Sequence, residues 1–516
     1  MQGATAISRW WETRWFGCAA ILVSAIPLLW PAFAPLGDMP GHIGRYRIMA
    51  EAGQLPLARH YAVDWAPIGN LGVDALVLLL RPLLGLEHAA KLVVLLIPPL
   101  TVAALLWAGR EAQGRIPPTA AFALPLAYCF PFQLGFVNFA LSAALAITGL
   151  ALWLRLARRS ASWVRVLVFV PFACLVWLCH SFGWAMLGLF VFGAEWALRR
   201  EAGQSWWRAA VLAGCVCAPM AAPQAVAMVF APHPLSGDTG DWFNWAAKLQ
   251  WAASVLRERW EFYDLASLIA LLFLLWHAIC SPRLRYARTL AVPALLGLAA
   301  FIVLPRLYAG GAYVDMRMLP YALALGLVAI RVPADDPAAA RFAIGGALFF
   351  AMRTIGTSVA FAILAAGQAD ALRALPALPV GSAVLTLVDE PSGGQWSNRR
   401  FTHIAGMAIA RRRVFTNEQW ALPGQQLIRP LHPRAAPLDR DPSQLVFSPV
   451  ETTDFDQAIA TFDRGTFGYV WTIGFPVGRA RARDLTPIWS DGVSAVYRVT
   501  PSRPPLVAPP VSPVRR

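Results

Sequence analysis

Two stretches of this chain combine residue types that can move a proton and hold a phosphate. The first reads Leu36-Gly-Asp-Met-Pro-Gly-His-Ile-Gly-Arg-Tyr-Arg47. It brings Asp38, His42, Arg45 and Arg47 close together, and Asp64, Asn70, Asp74, His88 and Lys91 follow before the next long apolar run. A carboxylate here can act as a general base or hold a divalent cation such as magnesium or manganese. Arginine grips a phosphate with a planar fork, and lysine does so as a point charge. The plain alternative for Asp38 is a cap on a helix over 39–50, because Pro-Gly follows it closely. The second stretch holds Arg306, Tyr308, Tyr313, Asp315 and Arg317. Its arginines suit an anionic headgroup or a lipid phosphate, or else they snorkel to ordinary phospholipid. Between the two lie Phe132-Gln-Leu-Gly-Phe-Val-Asn138-Phe139 and Cys179-His180-Ser181-Phe182-Gly183. Asn138 can bond a substrate hydroxyl or cap the next helix, and His180 can face a substrate or serve as a hydrogen-bonded structural residue.

The elements that must position these residues are apolar. Hydrophobic residues make up 58% of the 516-residue chain and charged residues 14%, against roughly 25% charged in soluble domains. This excludes a soluble enzyme, a disordered chain and a coiled coil. The net charge is +15, yet of 44 basic residues only Lys91 and Lys248 are lysine. The arginines fall in short clusters between apolar runs, as in cytoplasmic loops of polytopic membrane proteins. A nucleic-acid binder would gather them on one soluble face, so nucleic acid is not an expected partner. The seven cysteines, Cys18, Cys129, Cys174, Cys179, Cys215, Cys217 and Cys280, sit within or at the ends of apolar segments and form no CxxC pair. Neither a disulfide framework in the tail nor a zinc site is expected. There is no glycine-rich phosphate loop, nucleotide fingerprint or Ser-His-Asp spacing.

A span needs about 20 apolar residues. The first is expected over 16–33, with Arg9 and Arg14 holding the N-terminus in the cytoplasm. Further spans are expected at 93–108, 117–134, 137–155, 164–180, 182–198, 208–230, 263–280, 289–305, 317–331 and 341–366, about eleven crossings in all. Residues 71–86, interrupted by Arg81-Pro82, are expected to lie partly embedded on the outer side without crossing. Only then do the arginine clusters at 110–115, 155–165, 199–208, 283–288 and 331–341 all fall inside. The first outer loop then covers 36–88 and the tail lies outside, in the periplasm of a Gram-negative cell. Trp242, Trp245, Trp251 and Trp260 in the loop 231–262, which also carries His233, suit an interfacial aromatic belt or a sugar-stacking surface. Arg353 falls inside the last span and demands a partner.

The chain divides into a transmembrane part, 1–370, a small soluble α/β domain, 376–500, and a proline-rich tail, 501–516, expected to be disordered. In the soluble part, 381–388, 467–473 and 494–499 read as strands, 401–413 as an amphipathic helix, and Thr453 as the cap of a helix over 454–462.

This layout resembles the GT-C superfamily of integral-membrane glycosyltransferases. It is similar to bacterial relatives of the protein mannosyltransferase and aminoarabinose transferase group. The resemblance rests on Asp38-Met-Pro-Gly-His42-Ile-Gly-Arg45, Gly135-Phe-Val-Asn138-Phe139 and His180-Ser-Phe-Gly183, and on an Asp just outside the first span. It covers about residues 10–370. It implies a mainly α, polytopic helical bundle with a small extracytoplasmic α/β domain in the plasma (inner) membrane. It also implies transfer of a sugar from a polyprenyl-phosphate carrier to a glycan, lipid or protein acceptor in envelope glycan synthesis. On that reading Asp38, with His42, serves the acceptor hydroxyl. Lys91, Arg306, Arg317 and Arg45 hold the donor phosphate, while Asn138, His180, Tyr313 and Asp315 support the acceptor. Many members carry a second acidic residue in the next outer loop, which here, around 131–138, has none. A polysaccharide polymerase or ligase, and a non-catalytic envelope-assembly protein, are the alternatives; the latter would tolerate loss of Asp38.

Overall fold

The computed structural model describes residues 9–230, 237–333, 335–389, 396, 397, 399–419, 425–435, 444, 445 and 455–500. His233, the Thr453 cap and the segment 501–516 lie outside the described residues.

Helix α1 (Arg14–Val23) is capped by Thr13, whose Oγ1 accepts the Phe16 amide at 3.2 Å. It gives way to a short 3-10 turn, Ile26–Leu28. The expected span over 16–33 is therefore shorter than read, because Pro27 and Pro31 withdraw the amides a continuous helix needs. Helix α2 (Met39–Ala50) follows, then α3 (Gly72–Leu84) and α4 (Leu86–Gln113). The expected span over 117–134 is broken by Pro125 and Pro131 into α5 (Ala120–Ala123), a 3-10 turn and α6 (Phe130–Leu134). Next come α7 (Val137–Ala157), α8 (Ser162–Cys179), α9 (Ser181–Glu201), α10 (Trp206–Cys217) and α11 (Ala222–Phe230). The bundle closes with α12 (Trp245–Ala253), α13 (Glu261–Cys280), α14 (Arg288–Val303), α15 (Leu319–Ala329) and α16 (Ala338–Ala371).

Among the described residues, seven helical segments are long and apolar enough to cross a membrane, and three shorter apolar ones accompany them. Helix α7 lies at the centre, packed on α4, α8 and α9. Outward-facing Leu79, Leu83, Phe262 and Ile269 are exposed, as lipid-facing side chains are. The chain is thus an integral membrane protein. Helix α3 has 13 residues, a rise of about 20 Å against the ~30 Å of a hydrocarbon core. Its first turn is tied to Asn138 through the Val73 amide. Just past its end, Glu87 pairs with Arg411 of the C-terminal domain at 2.8 Å.

The C-terminal domain adds α17 (Gly406–Arg412) and α18 (Phe455–Thr461) to a sheet. The strands in chain order are β1 (Tyr61–Val63), β2 (Arg285–Tyr286), β3 (Ile330–Arg331), β4 (Ala383–Asp389), β5 (Phe415–Thr416), β6 (Ile428–Pro430), β7 (Gln444–Leu445), β8 (Tyr469–Ile473), β9 (Leu485–Ser490) and β10 (Ala495–Val499). The main sheet runs β5-β4-β8-β10-β9, with β7 also paired to β4. Strand β4 is parallel to β5, β7 and β8, and its run Val384–Val388 is buried throughout, as a strand covered on both faces must be. The helix expected over 401–413 is shorter, and Gly406–Ala410 are all buried rather than half-exposed. It is wedged between the sheet and α2, so both its faces are covered.

The two parts dock closely. Strand β1, from the first long loop of the membrane part, pairs antiparallel with β6. Arg413 reaches Glu51 at 2.7 Å. Backbones meet where α17 crosses α2: a Cβ on Gly406 would come within 2.2 Å of the Pro40 carbonyl oxygen and 2.7 Å of the Gly41 Cα. Only glycine permits that approach.

Candidate active site

Asp38 sits at the N-terminus of α2 but makes no capping hydrogen bond with its side chain. Its position is set by backbone. The Asp38 amide donates to the Leu134 carbonyl at 2.8 Å, and the Gly37 amide to Gln133 at 3.2 Å. The turn after α6 closes on it through Gly135, at φ +101°, where a Cβ would stand 2.6 Å from the Asp38 nitrogen. Both the left-handed backbone and the contact require glycine. The carboxylate itself remains 36% exposed, open to a substrate.

His42 lies one turn along α2. Its Nε2 contacts the Gly135 carbonyl oxygen at 3.1 Å, pinning the turn that seats Asp38. Burial, and then the charge of Arg45, hold its pKa well below 6.5. His42 is therefore a neutral imidazole with one nitrogen committed to structure, and its place is beside Asp38 rather than on a substrate.

Arg317 approaches from the loop before α15. Its guanidinium lies 4.6 Å from the ring centre of Phe136, 5.4 Å from Phe139 and 5.9 Å from Phe182. Protein surrounds it, although the residue as a whole is only partly buried. Burial pushes its pKa down to about 10, and the field of the Asp38 carboxylate opposes that shift. Its partners are neutral: Nη2 donates to the Ala312 carbonyl at 3.3 Å, Nη1 lies 3.2 Å from His180 Nε2, and Nε is buried without a partner.

His180 explains why this guanidinium is left wanting. It caps α9 by accepting the Phe182 amide at Nδ1, 3.0 Å away. Burial and Arg317 keep the ring neutral, its pKa well below 6.5. A neutral imidazole has one lone pair, and Phe182 takes it. The ring proton is then on Nε2, facing Arg317, so two donors converge on one spot. A buried cation without a matching acceptor is costly, and an anion oxygen placed there would accept from both.

The other residues singled out in the sequence are committed to structure. Arg45 forms a buried ion pair with Asp74 at 2.9 Å. Asn138 donates to Asp74 Oδ2 at 2.8 Å and to the Asn70 carbonyl at 3.0 Å, and it accepts the Val73 amide at 2.6 Å. These two residues tie α2, α3 and α7 together instead of facing an open space. Lys91 donates to the Leu29 carbonyl at 2.7 Å, and Arg306 pairs with Asp241. Asp315 is the buried counter-ion of Lys248, 3.0 Å away. Tyr313 packs edge-on against Trp251 at 5.2 Å, with its own backbone at φ +60°.

Arg353 finds its partners in Asp264 at 2.8 Å and Glu258 at 3.2 Å. Burial pushes the Glu258 carboxyl up to about 7 despite the Arg353 charge. Trp396 of the C-terminal segment donates to Asp264 at 2.7 Å, so this cluster helps anchor that segment to the bundle.

The pair the sequence did not disclose is His403 and Glu418. Both belong to the C-terminal domain, one just before α17 and one just after β5. His403 Nδ1 lies 2.8 Å from Glu418 Oε1, and Nε2 lies 3.8 Å from Asp38 Oδ1. His403 thus stands between Asp38 and a carboxylate 380 residues further along the chain than Asp38. Nothing in the sequence set His403 and Glu418 apart: Glu418 falls in the polar run Thr416-Asn-Glu-Gln419, and His403 in a stretch that also carries Arg399, Arg400 and Arg411 to Arg413. Among the described residues no group of three or more His, Cys, Asp and Glu side chains is arranged to hold a metal ion.

No family model matches the chain, and no curated protein matches it. It is similar to crystal structures of ArnT from Cupriavidus metallidurans. With the apo state it shares 13% identity at a TM-score of 0.49, covering 94% of this chain and 97% of that one. With the form bound to undecaprenyl phosphate it shares 14% identity at 0.48, with the same coverage.

Proposed function

We propose that this protein is a membrane glycosyltransferase of GT-C type. It moves a sugar from a polyprenyl-phosphate carrier to an acceptor on the side covered by the C-terminal domain. That side is outside the cell membrane, with the N-terminus in the cytoplasm. The observation that carries this reading is the pairing of an accessible Asp38 carboxylate with an Arg317 guanidinium that is enclosed, charged and short of acceptors.

The chemistry follows from the two groups. The carrier phosphate takes the place between Arg317 and His180 where two donors meet, and the half-buried rings of Phe136 and Phe182 beside Arg317 accept the start of the apolar chain that follows it. Asp38 removes the proton of an acceptor hydroxyl as that oxygen attacks the anomeric carbon. The bond from that carbon to the phosphate oxygen breaks, and the electron pair leaves with the phosphate. Arg317 stabilises the charge that develops there, a role worth most where water is excluded. Attack opposite the leaving phosphate inverts the anomeric centre.

The test is binding of a polyprenyl monophosphate to the purified full-length chain in detergent. Arg317→Gln should weaken Kd about 10- to 160-fold, the equivalent of roughly 1.5–3 kcal/mol for a charge-assisted hydrogen bond. Arg285→Gln, at an exposed position in β2, should leave it unchanged. Absence of saturable binding, or equal affinities in the two variants, overturns the reading.

A further inference from the structure

The C-terminal domain reaches the site with a built arrangement, not with a chance surface contact. Glu418 is 1% exposed, and a carboxylate so buried needs donors. Two are present: Gln419 Nε2 at 3.1 Å, itself bonded to the Gly41 carbonyl at 2.8 Å, and His403 Nδ1 at 2.8 Å. Glu418 is acceptor-only when ionised, so the His403 proton sits on Nδ1 and the lone pair on Nε2. That lone pair faces Asp38 Oδ1 across 3.8 Å. This is longer than a hydrogen bond but within reach of a small side-chain rotation. His403 is 13% exposed and Asp38 36%, so the imidazole stands behind the carboxylate as seen from the open side.

The other two imidazoles near the site cannot take this place. His42 spends Nε2 on Gly135 and sits beside Arg45, and His180 faces Arg317. Among the described residues, His403 alone stands between two carboxylates.

We infer that His403, oriented by Glu418, is a positioning residue that receives from Asp38 the proton lost by the acceptor. This deepens the glycosyltransferase reading and rests on it. The acceptor oxygen forms its bond to the anomeric carbon, and the carbon–phosphate oxygen bond breaks with its electrons on the phosphate. The acceptor proton passes to Asp38 and then to His403 Nε2. The imidazolium is held between Asp38 and Glu418, so Asp38 regains its charge while the products are still bound. The soluble domain is thereby part of the reaction centre, and an acceptor must meet Asp38 beside it.

The experiment measures turnover of a polyprenyl-phosphate sugar by the full-length protein across pH, with polyprenyl monophosphate binding measured alongside. His403→Gln should lower kcat about 10- to 100-fold and move the acid limb of the kcat profile to lower pH, leaving the one that Asp38 itself sets, while Kd for polyprenyl monophosphate stays within twofold. Glu418→Gln, whose amide oxygen can still accept from Nδ1, should shift that acid limb to lower pH, because the imidazolium loses a counter-charge; an unshifted limb overturns the orienting role of Glu418. An unchanged kcat profile in His403→Gln overturns the inference. So does a parallel fall of kcat and of lipid binding, since that is what a purely structural role would give. If the unaltered protein turns over no polyprenyl-phosphate sugar while the binding assay succeeds, the transferase reading itself fails, and this inference with it.

Discussion

Asp38→Asn is the sharpest perturbation the structure offers. The side chain keeps its size, and the backbone contacts that seat it are untouched: the amide still donates to Leu134 at 2.8 Å, and the carbonyl still accepts the His42 amide at 3.0 Å. No capping bond is lost, because the Asp38 side chain makes none, and Asn would cap as well as Asp in any case. A half-exposed, near-isosteric change of this kind should alter stability by less than about 0.5 kcal/mol. Basicity, by contrast, disappears. Loss of a general base costs typically 10²–10⁴-fold, or about 3–5 kcal/mol of barrier at 1.36 kcal/mol per tenfold. Carrier binding should not weaken, because the deleted charge repels a phosphate and only opposes the burial-driven shift of Arg317. The assay is restoration of the envelope glycan in cells lacking the protein, together with polyprenyl monophosphate binding by the purified variant. The expected result is a correctly inserted protein that binds the carrier at least as well as the parent and makes little or no product. Retained glycan synthesis would refute the base assignment and favour an assembly role. Joint loss of binding and product would show that Asp38 holds the fold.

Three further outcomes follow from contacts elsewhere. Gly406→Ala places a Cβ 2.2 Å from the Pro40 carbonyl oxygen, an overpacking that costs about 1–3 kcal/mol. It should loosen the C-terminal domain from α2, and limited proteolysis should release that domain faster than in the parent. His42 and His180 are held neutral below the ordinary 6.5, so the unfolded chain binds more protons than the folded one in acid. Their contribution to stability should be complete above about pH 6.5 and fall as the pH drops below it. A thermal melt series from pH 7.5 to 5 tests this, and His42→Gln should flatten part of the slope. Finally, Glu87 is on the side of the C-terminal domain, paired with Arg411. Glu87→Cys should react with an impermeant thiol reagent in intact cells, whereas labelling only after lysis would place α3 across the membrane or the domain inside the cell.

The sequence by itself determined the solvent of this protein. Long apolar runs must be helical in hydrocarbon, where every backbone group needs an internal partner, so the helices over 137–157, 162–179, 181–201 and 261–280 were legible within a few residues. Proline-rich runs read as continuous spans but are broken, since hydropathy does not register a missing amide. Strands at 383–389, 469–473 and 495–499 were visible from β-branched alternation, but β9 and the β1–β6 pairing were not, because pairing partners are chosen by tertiary contact and not by local composition. For the site, the chain disclosed Asp38, His180 and Arg317 as polar residues at the ends of apolar runs. It could not say which polar residues were already spent. Arg45 and Asp74, Lys248 and Asp315, and Arg353 with Glu258 and Asp264 are pairs separated by 29 to 95 positions, and charge neutralisation at that range is decided only by packing. The same holds for His403 and Glu418. Nothing near them in the chain marks them as functional. They reach Asp38 because Gly406 allows α17 to lie directly on α2, a contact between backbones 362 or more residues apart that no local pattern encodes.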